Sequence, residues 1–102
     1  MMNKALSMIG LASKARCLVS GEFAVERAVK SHKAFLVIVA NDASDNTRKK
    51  FEDMCRYYKV PIIFYSDKEE LGRVLGKEYR ASIALTDANF AKGIQDKISC
   101  DK

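Results

Sequence analysis

The chain has 102 residues and a formal net charge of +5, with 18 Lys and Arg against 13 Asp and Glu. That length suits one domain over 1–102, and 48% apolar residues with one Pro and five Gly argue against disorder. No apolar run approaches the roughly 20 residues that span a bilayer, and residues 1–11 are too interrupted by polar side chains for a signal peptide. Cys17, Cys55 and Cys100 lie far apart with no Cys-x-x-Cys pair, which fits neither a disulfide framework nor a zinc site. Reduced thiols in a cytoplasmic protein are expected.

Helices and strands alternate along the chain. Ala5, Met8, Ile9 and Ala12 keep the i, i+3, i+4, i+7 spacing of a helix with one buried face. Leu18 and Val19 read as a short extended piece, after which Ser20 offers an N-cap hydroxyl for a second helix over 21–31. The apolar, β-branched run 35–40 predicts a strand covered on both faces. A third helix begins near Ser44 and carries Phe51, Met54, Cys55 and Tyr58 in register. A strand over 61–65 follows, with Pro61 at its first position. Ser66-Asp67-Lys68-Glu69 has the form of a capping box opening a helix with Leu71, Val74 and Leu75, which Gly76 ends. The run 82–86 predicts another strand, and a last helix turns Phe90, Ala91, Ile94 and Ile98 inward before a frayed tail at 99–102. The pattern predicts an α/β fold with a mostly parallel sheet between helices.

Charge is unevenly placed. Residues 1–33 hold six cations (Lys4, Lys14, Arg16, Arg27, Lys30, Lys33) and two anions (Glu22, Glu26), so four of the five net charges lie there. If the long strands run parallel, the loops before strands, with His32-Lys33, Lys59 and Lys77-Glu78-Tyr79-Arg80, make a basic edge. The loops after strands, with Asp42, Asp67 and Asp87, then make an acidic one.

On the second helix Ala24, Val25, Ala28, Val29 and His32 share the core side, which makes His32 a packed histidine. Phe23 falls almost opposite, with Arg27 at i+4 and Lys30 at i+7. An aromatic ring beside guanidinium and ammonium groups at a helix start suits unstacked bases and phosphates. The alternative is that the first helix or the 76–81 loop folds over Phe23 as ordinary packing.

The chain carries little that reads as catalytic. Asp42, Asp67 and Asp87 would converge at the carboxyl ends of parallel strands and could hold Mg²⁺ for phosphate chemistry. Each also stands at a helix start, where capping accounts for it without a metal. Leu71-Gly72-Arg73-Val74-Leu75-Gly76 contains G-x-x-x-G within a short amphipathic helix, which makes neither a membrane motif nor a phosphate loop. Cys17 beside Arg16 lacks a base and reads as a loop thiol. Arg48-Lys49-Lys50 reads as a solvated helix face. No cofactor is expected.

Three segments recur in order and spacing: Leu36-Val37-Ile38-Val39-Ala40-Asn41-Asp42-Ala43-Ser44, Val60-Pro61-Ile62-Ile63, and Leu71-Gly72-Arg73-Val74-Leu75-Gly76-Lys77-Glu78. Together they resemble the kink-turn RNA-binding ribosomal proteins, the L-seven-Ae family, over about 3–98. Ile9-Gly10-Leu11-Ala12-x-Lys14-Ala15-Arg16 and Thr86-Asp87-x-x-Phe90-Ala91-Lys92 are most similar to its bacterial YlxQ-like branch.

The resemblance implies a three-layer α-β-α sandwich with a four-stranded mixed sheet, and a non-catalytic protein that binds a sharply bent RNA with sheared G·A pairs. It implies contact through the second helix start, here Gly21, Glu22, Phe23, Ala24 and Arg27, and through the loop Lys77, Glu78, Tyr79, Arg80 and Ala81. The family pattern after the glycine is Thr-Asn-Glu with a later Lys. Phe23 and Ala24 replace the Asn and Glu here, and Arg27 replaces the Lys. Phosphate contacts should therefore survive better than base-specific ones.

The expected site is Lys14, Arg16, Gly21, Glu22, Phe23, Arg27, Lys30, Lys77, Glu78, Tyr79 and Arg80, in a monomer bound to structured, translation-associated RNA. The alternatives are a basic accessory indifferent to RNA shape and a small Mg²⁺-dependent phosphate enzyme.

Overall fold

The computed structural model describes residues 4–100, and its elements follow the predicted alternation. They are α1 (Lys4–Lys14), β1 (Leu18–Ser20), α2 (Glu22–Lys30), β2 (Leu36–Val39), α3 (Asp45–Tyr58), β3 (Ile62–Phe64), α4 (Lys68–Val74), β4 (Ser82–Leu85) and α5 (Ala88–Cys100). Ser99 and Cys100 continue α5 instead of fraying, and the remaining tail positions, 101–102, lie outside the described residues.

The sheet is four-stranded and mixed, in the order β1-β4-β2-β3. Both faces are covered, so the central strands are buried throughout, apolar but for Ser82, and split their side chains by alternation. Leu36, Ile38, Ile83 and Leu85 pack with Ala5, Ile9, Leu71 and Ile94 against α1, α4 and α5. Val37, Val39 and Ala84 pack with Val25, Val29, Phe51 and Cys55 against α2 and α3. Burial of each such large aliphatic or aromatic side chain is worth about 1.5–3 kcal/mol.

Strand direction departs from expectation at one place. β1, β2 and β3 point the same way, but β4 runs against them between β1 and β2, so only the β2–β3 pairing is parallel. A strand buried on both faces carries no mark of its direction, because its apolar pattern reads alike from either end. The reversal dissolves the predicted split into basic and acidic edges. It carries the 76–81 loop to the edge where β1, β2 and β3 end, beside Asp42 and Asp67, and sends Asp87 to the opposite edge.

The loop is held there by backbone bonds. The Gly21 N–H donates to the Ser82 carbonyl at 3.0 Å, that of Ala40 to Ala81 at 2.9 Å, and that of Arg80 to Lys68 at 3.0 Å. Gly72 fixes the loop from below, because a Cβ there would fall 2.5 Å from the Glu78 carbonyl oxygen and 2.9 Å from the Tyr79 Cα. These are backbone atoms that cannot swing aside. By contrast, a Cβ at Gly93 would meet only the flexible end of Met8, at 2.6 Å.

Gly→Ala within a helix ordinarily stabilises by about 1 kcal/mol. At Gly72 we expect the opposite sign, a loss of about 1–3 kcal/mol through displacement of the 76–81 loop. Urea denaturation of Gly72→Ala measures it, and a gain in stability would mean the loop shifts freely.

Candidate nucleic-acid interface

Two elements meet at the edge where β1 ends. The chain turns from β1 into α2 at Gly21, whose φ of 95° lies in the region that favours glycine. Nothing lies within 4 Å of a Cβ there, so the demand is one of backbone angle and not of space. Gly21 occupies the N-cap position and no side chain caps the helix. Ser20 was the expected cap, but it is the last residue of β1 and its hydroxyl is used elsewhere. The starts of α3, α4 and α5 are capped by Ser44, Asp67 and Asp87 respectively. The first-turn N–H groups of α2 are thus left as donors beside the positive end of the helix dipole.

Phe23 stands on this first turn with 73% of its surface exposed, so neither α1 nor the 76–81 loop covers it. The Arg27 guanidinium carbon lies 5.6 Å from its ring centroid. That cation–π contact holds ring and charge side by side on one helix face.

The second element is the loop before β4. Arg80 donates from Nε to the Ser20 hydroxyl at 3.0 Å and from Nη1 to the Tyr79 carbonyl at 2.8 Å. It ties the loop to the end of β1, so its guanidinium acts first as a strut between the two elements and only then as a surface charge. Tyr79 is 60% exposed. With Lys77, Glu78 and the α4 residues Glu69 and Arg73 it lines a concavity of about 360 Å³.

The other expected site residues divide. Glu22 and Lys30 are at the right helix but already engaged. Lys50 of α3 lies 2.8 Å from both Glu22 and Glu26, and Lys30 lies 2.8 Å from Glu26. The Lys30 hydrogen bond, then that of Lys50, holds the Glu26 carboxyl down at about 2, and these pairs raise both ammonium groups in turn. Lys50, read as a solvated position, is therefore a bridge to α2. No local signal marks a contact 28 residues apart.

Lys14 and Arg16 are not brought to this edge. They precede β1, and the Cys17 carbonyl just before that strand accepts from the Thr86 N–H at 2.8 Å at the opposite end of the sheet. A groove of about 610 Å³ runs down α2 beside edge strand β1, lined by Val19, Phe23, Ala24, Arg27, Lys33 and Thr86 among others. Helical spacing in α2 marks Phe23 and Arg27, but Val19, Lys33 and Thr86 come together only through the sheet.

The three aspartates do not form a site. Asp42 accepts from the Lys68 N–H at 2.9 Å, Asp67 from Glu70 at 2.7 Å and Asp87 from Phe90 at 3.0 Å. The reversed β4 sets Asp87 at the other end of the sheet. Among the described residues no group of three or more His, Cys, Asp and Glu is placed to hold a metal ion. His32 also departs from expectation. It is exposed, with a φ of 62°, and its ring meets Tyr58 edge-on instead of packing into the core.

A mixed four-stranded sheet between helical layers, with an uncapped helix start bearing Phe23 and Arg27 locked to the loop before β4, defines a small α-β-α sandwich protein built around one surface edge. The chain belongs to the Ribosomal protein L7Ae/L30e/S12e/Gadd45 family, matched over residues 3–95. It is 46% identical over 84 residues to the RNA-binding protein YlxQ of Bacillus subtilis (strain 168), covering 82% of this chain and 84% of that protein. It is 39% identical over 95 residues to the RNA-binding protein YlxQ of Enterococcus faecium, covering 93% and 91%.

A solved structure of a protein with unknown function from Bacillus halodurans superposes with a TM-score of 0.92 at 38% identity, covering 96% of this chain and 99% of that one. The Giardia lamblia 15.5kD RNA binding protein shares the fold, with a TM-score of 0.77 at 22% identity and coverage of 93% and 84%. Among the described residues no helix is long and apolar enough to cross a membrane.

Folding lowers the Glu26 carboxyl from an ordinary 4.5 to about 2. Its ion pairs therefore stabilise the fold fully above about pH 4.5 and lose that contribution as pH falls toward 2. Glu26→Gln should flatten the decline of Tm across that window. An acid limb identical to wild type would show that the pairs do not persist in solution.

Proposed function

We propose that the protein is a non-catalytic, cytoplasmic RNA-binding protein that docks as a monomer on a sharply bent RNA, a kink-turn, and stabilises its bent form. The observation that carries this reading is the uncapped α2 start with Phe23 exposed beside Arg27, joined through Arg80 to the Tyr79 loop. The printed names of the YlxQ relatives, both RNA-binding proteins, support it. So does the position of both elements, which are the ones the family resemblance assigns to RNA contact.

The chemistry divides by role. Arg27 and the free N–H groups of the α2 first turn meet phosphate oxygens, which gives affinity and salt dependence. Phe23 and Tyr79 supply exposed rings for unpaired bases. Phe23 and Ala24 cannot offer the side-chain acceptors and donors of Asn and Glu to a sheared G·A pair, so shape and stacking take the larger share of recognition. Lys30 is a weaker phosphate ligand than Arg27, because Glu26 and RNA compete for it. The setting is ribosomal or otherwise translation-associated RNA.

Titration against a kink-turn RNA and a control whose G·A pairs are made Watson–Crick, at two salt concentrations, tests the reading. Tight binding lost in the control supports it. Equal, salt-sensitive binding to both would replace it with a shape-indifferent basic accessory, a reading favoured by the missing Asn-Glu pair. Arg27→Ala should flatten the salt slope by about one phosphate, and Lys30→Ala should flatten it less. Phe23→Ala should cost about 1–3 kcal/mol in RNA affinity while leaving Tm unchanged, since its ring is mostly solvated.

A further inference from the structure

At the sheet edge opposite the α2 start, the chain exposes a second surface that is both aromatic and basic. β2 and β3 are parallel and in register from Val37 and Ile62, so the ends of α2 and α3 that feed them reach one edge together. His32 follows the Ser31 C-cap of α2 and Lys59 caps α3, each in the left-handed region at φ of 62° and 61°. Tyr57 and Tyr58 form the last turn of α3, and Phe35 stands just before β2.

The rings are arranged and not scattered. Tyr57 and Tyr58 meet edge to face with centroids 4.9 Å apart, and Tyr58 meets His32 in the same way at 5.7 Å. Tyr57 nevertheless keeps 78% of its surface in solvent and Phe35 keeps 47%. The core gains little from either. Edge-to-face contacts orient the Tyr57 ring before any ligand arrives, which lowers the ordering cost of stacking.

The surrounding charge points to a polyanion. Among the described residues neither Lys33 nor Lys59 makes an ion pair, and the carboxylates toward this end have partners of their own, Asp87 in the Phe90 N–H that it caps. Glu26 holds Lys30 and Lys50 at 2.8 Å, and Asp53 lies 3.8 Å from Arg56. Lys33 also lines the far end of the groove that begins at Phe23. A chain leaving the α2 start thus has a continuous path of about 14 Å, the length of the helix, to this edge.

We propose that this edge is a second RNA contact, taking unpaired nucleotides, with a base on Tyr57 and adjoining phosphates on Lys33 and Lys59. It rests on the RNA-binding reading but uses different residues, at the other end of the sheet, and asks for no bend in the RNA. Exposed aromatic rings among unpaired cations are the general recipe for sequence-tolerant binding of single strands.

The test is binding of a fluorescently labelled decauridylate, which has no G·A pairs and so needs no bend in the RNA, to the wild type and, with the ring of the first site removed, to Phe23→Ala. Tyr57→Ala should weaken it about fivefold or more, Tyr57→Phe should retain it, and Lys33→Ala should weaken it and flatten its salt slope. Lys92→Ala, which removes the same charge from an exposed position on α5, should change neither. Decauridylate that fails to bind wild type overturns the proposal and leaves the patch to a protein partner. Binding insensitive to Tyr57→Ala and lost in Phe23→Ala overturns it in favour of the α2 start, and binding insensitive to both rings, or weakened equally by Lys92→Ala, overturns it in favour of net charge alone.

Discussion

The insertion of β4 between β1 and β2, against their direction, is the constraint on which this structure depends. A fully parallel sheet would return the chain to the edge where β2 and β3 begin, and the 76–81 loop would sit far from the α2 start. With β4 reversed, Ser82 lies beside Ser20 and Gly21, the Gly21 N–H reaches the Ser82 carbonyl, and Arg80 reaches the Ser20 hydroxyl. Two surface elements 60 residues apart become one unit through an ordinary antiparallel ladder and a single guanidinium. Gly72 serves the same end from below, because only a residue without Cβ lets α4 approach the loop backbone so closely.

Charge is spent selectively on that unit. Glu22 and Glu26 lie on the α2 flank facing α3, where Lys50 bridges them and Lys30 closes the set. These pairs are exposed, and individually they contribute little to stability. Their larger effect is on the surface field. They neutralise the acidic flank of α2 and leave Arg27 as the dominant charge on the Phe23 face, next to the unpaired N–H groups of the first turn.

Much of the secondary structure was legible in the sequence, for definite reasons. Helical spacing placed Phe23 away from the core, and it is exposed. The third helix is expected to begin near Ser44, and it does, with the Ser44 hydroxyl accepting from the Thr47 N–H at 3.2 Å as its cap. Adjacent cap-forming residues defeated the same logic at α4. Ser66 takes a left-handed φ of 64° and donates to Glu70, and Asp67 does the capping one position later. Ser20 failed as a cap because β1 claims its backbone and Arg80 its hydroxyl. What sequence could not supply was direction and distance: the orientation of a doubly buried strand, the reach of Lys50 across 28 residues, and the placement of Lys14 and Arg16 at the far end of β1.

The exchange of Asn and Glu for Phe23 and Ala24 that the family resemblance implies then has a physical meaning on the proposed function. Polar readers at a helix start earn specificity only when their partners are present, since unmet buried donors and acceptors are costly. An exposed Phe with Arg27 stacked against it makes no such demand. It favours any unstacked base, and its neighbouring N–H groups favour any phosphate. A surface of this kind gains selectivity from RNA that already places a loose base and crowded phosphates about one helical turn apart, which is what a sharp bend in the RNA does. On the proposed function, the coupling of α2 to the Tyr79 loop through Arg80 is the selective element, because it sets the spacing that a flexible RNA would have to be ordered to match.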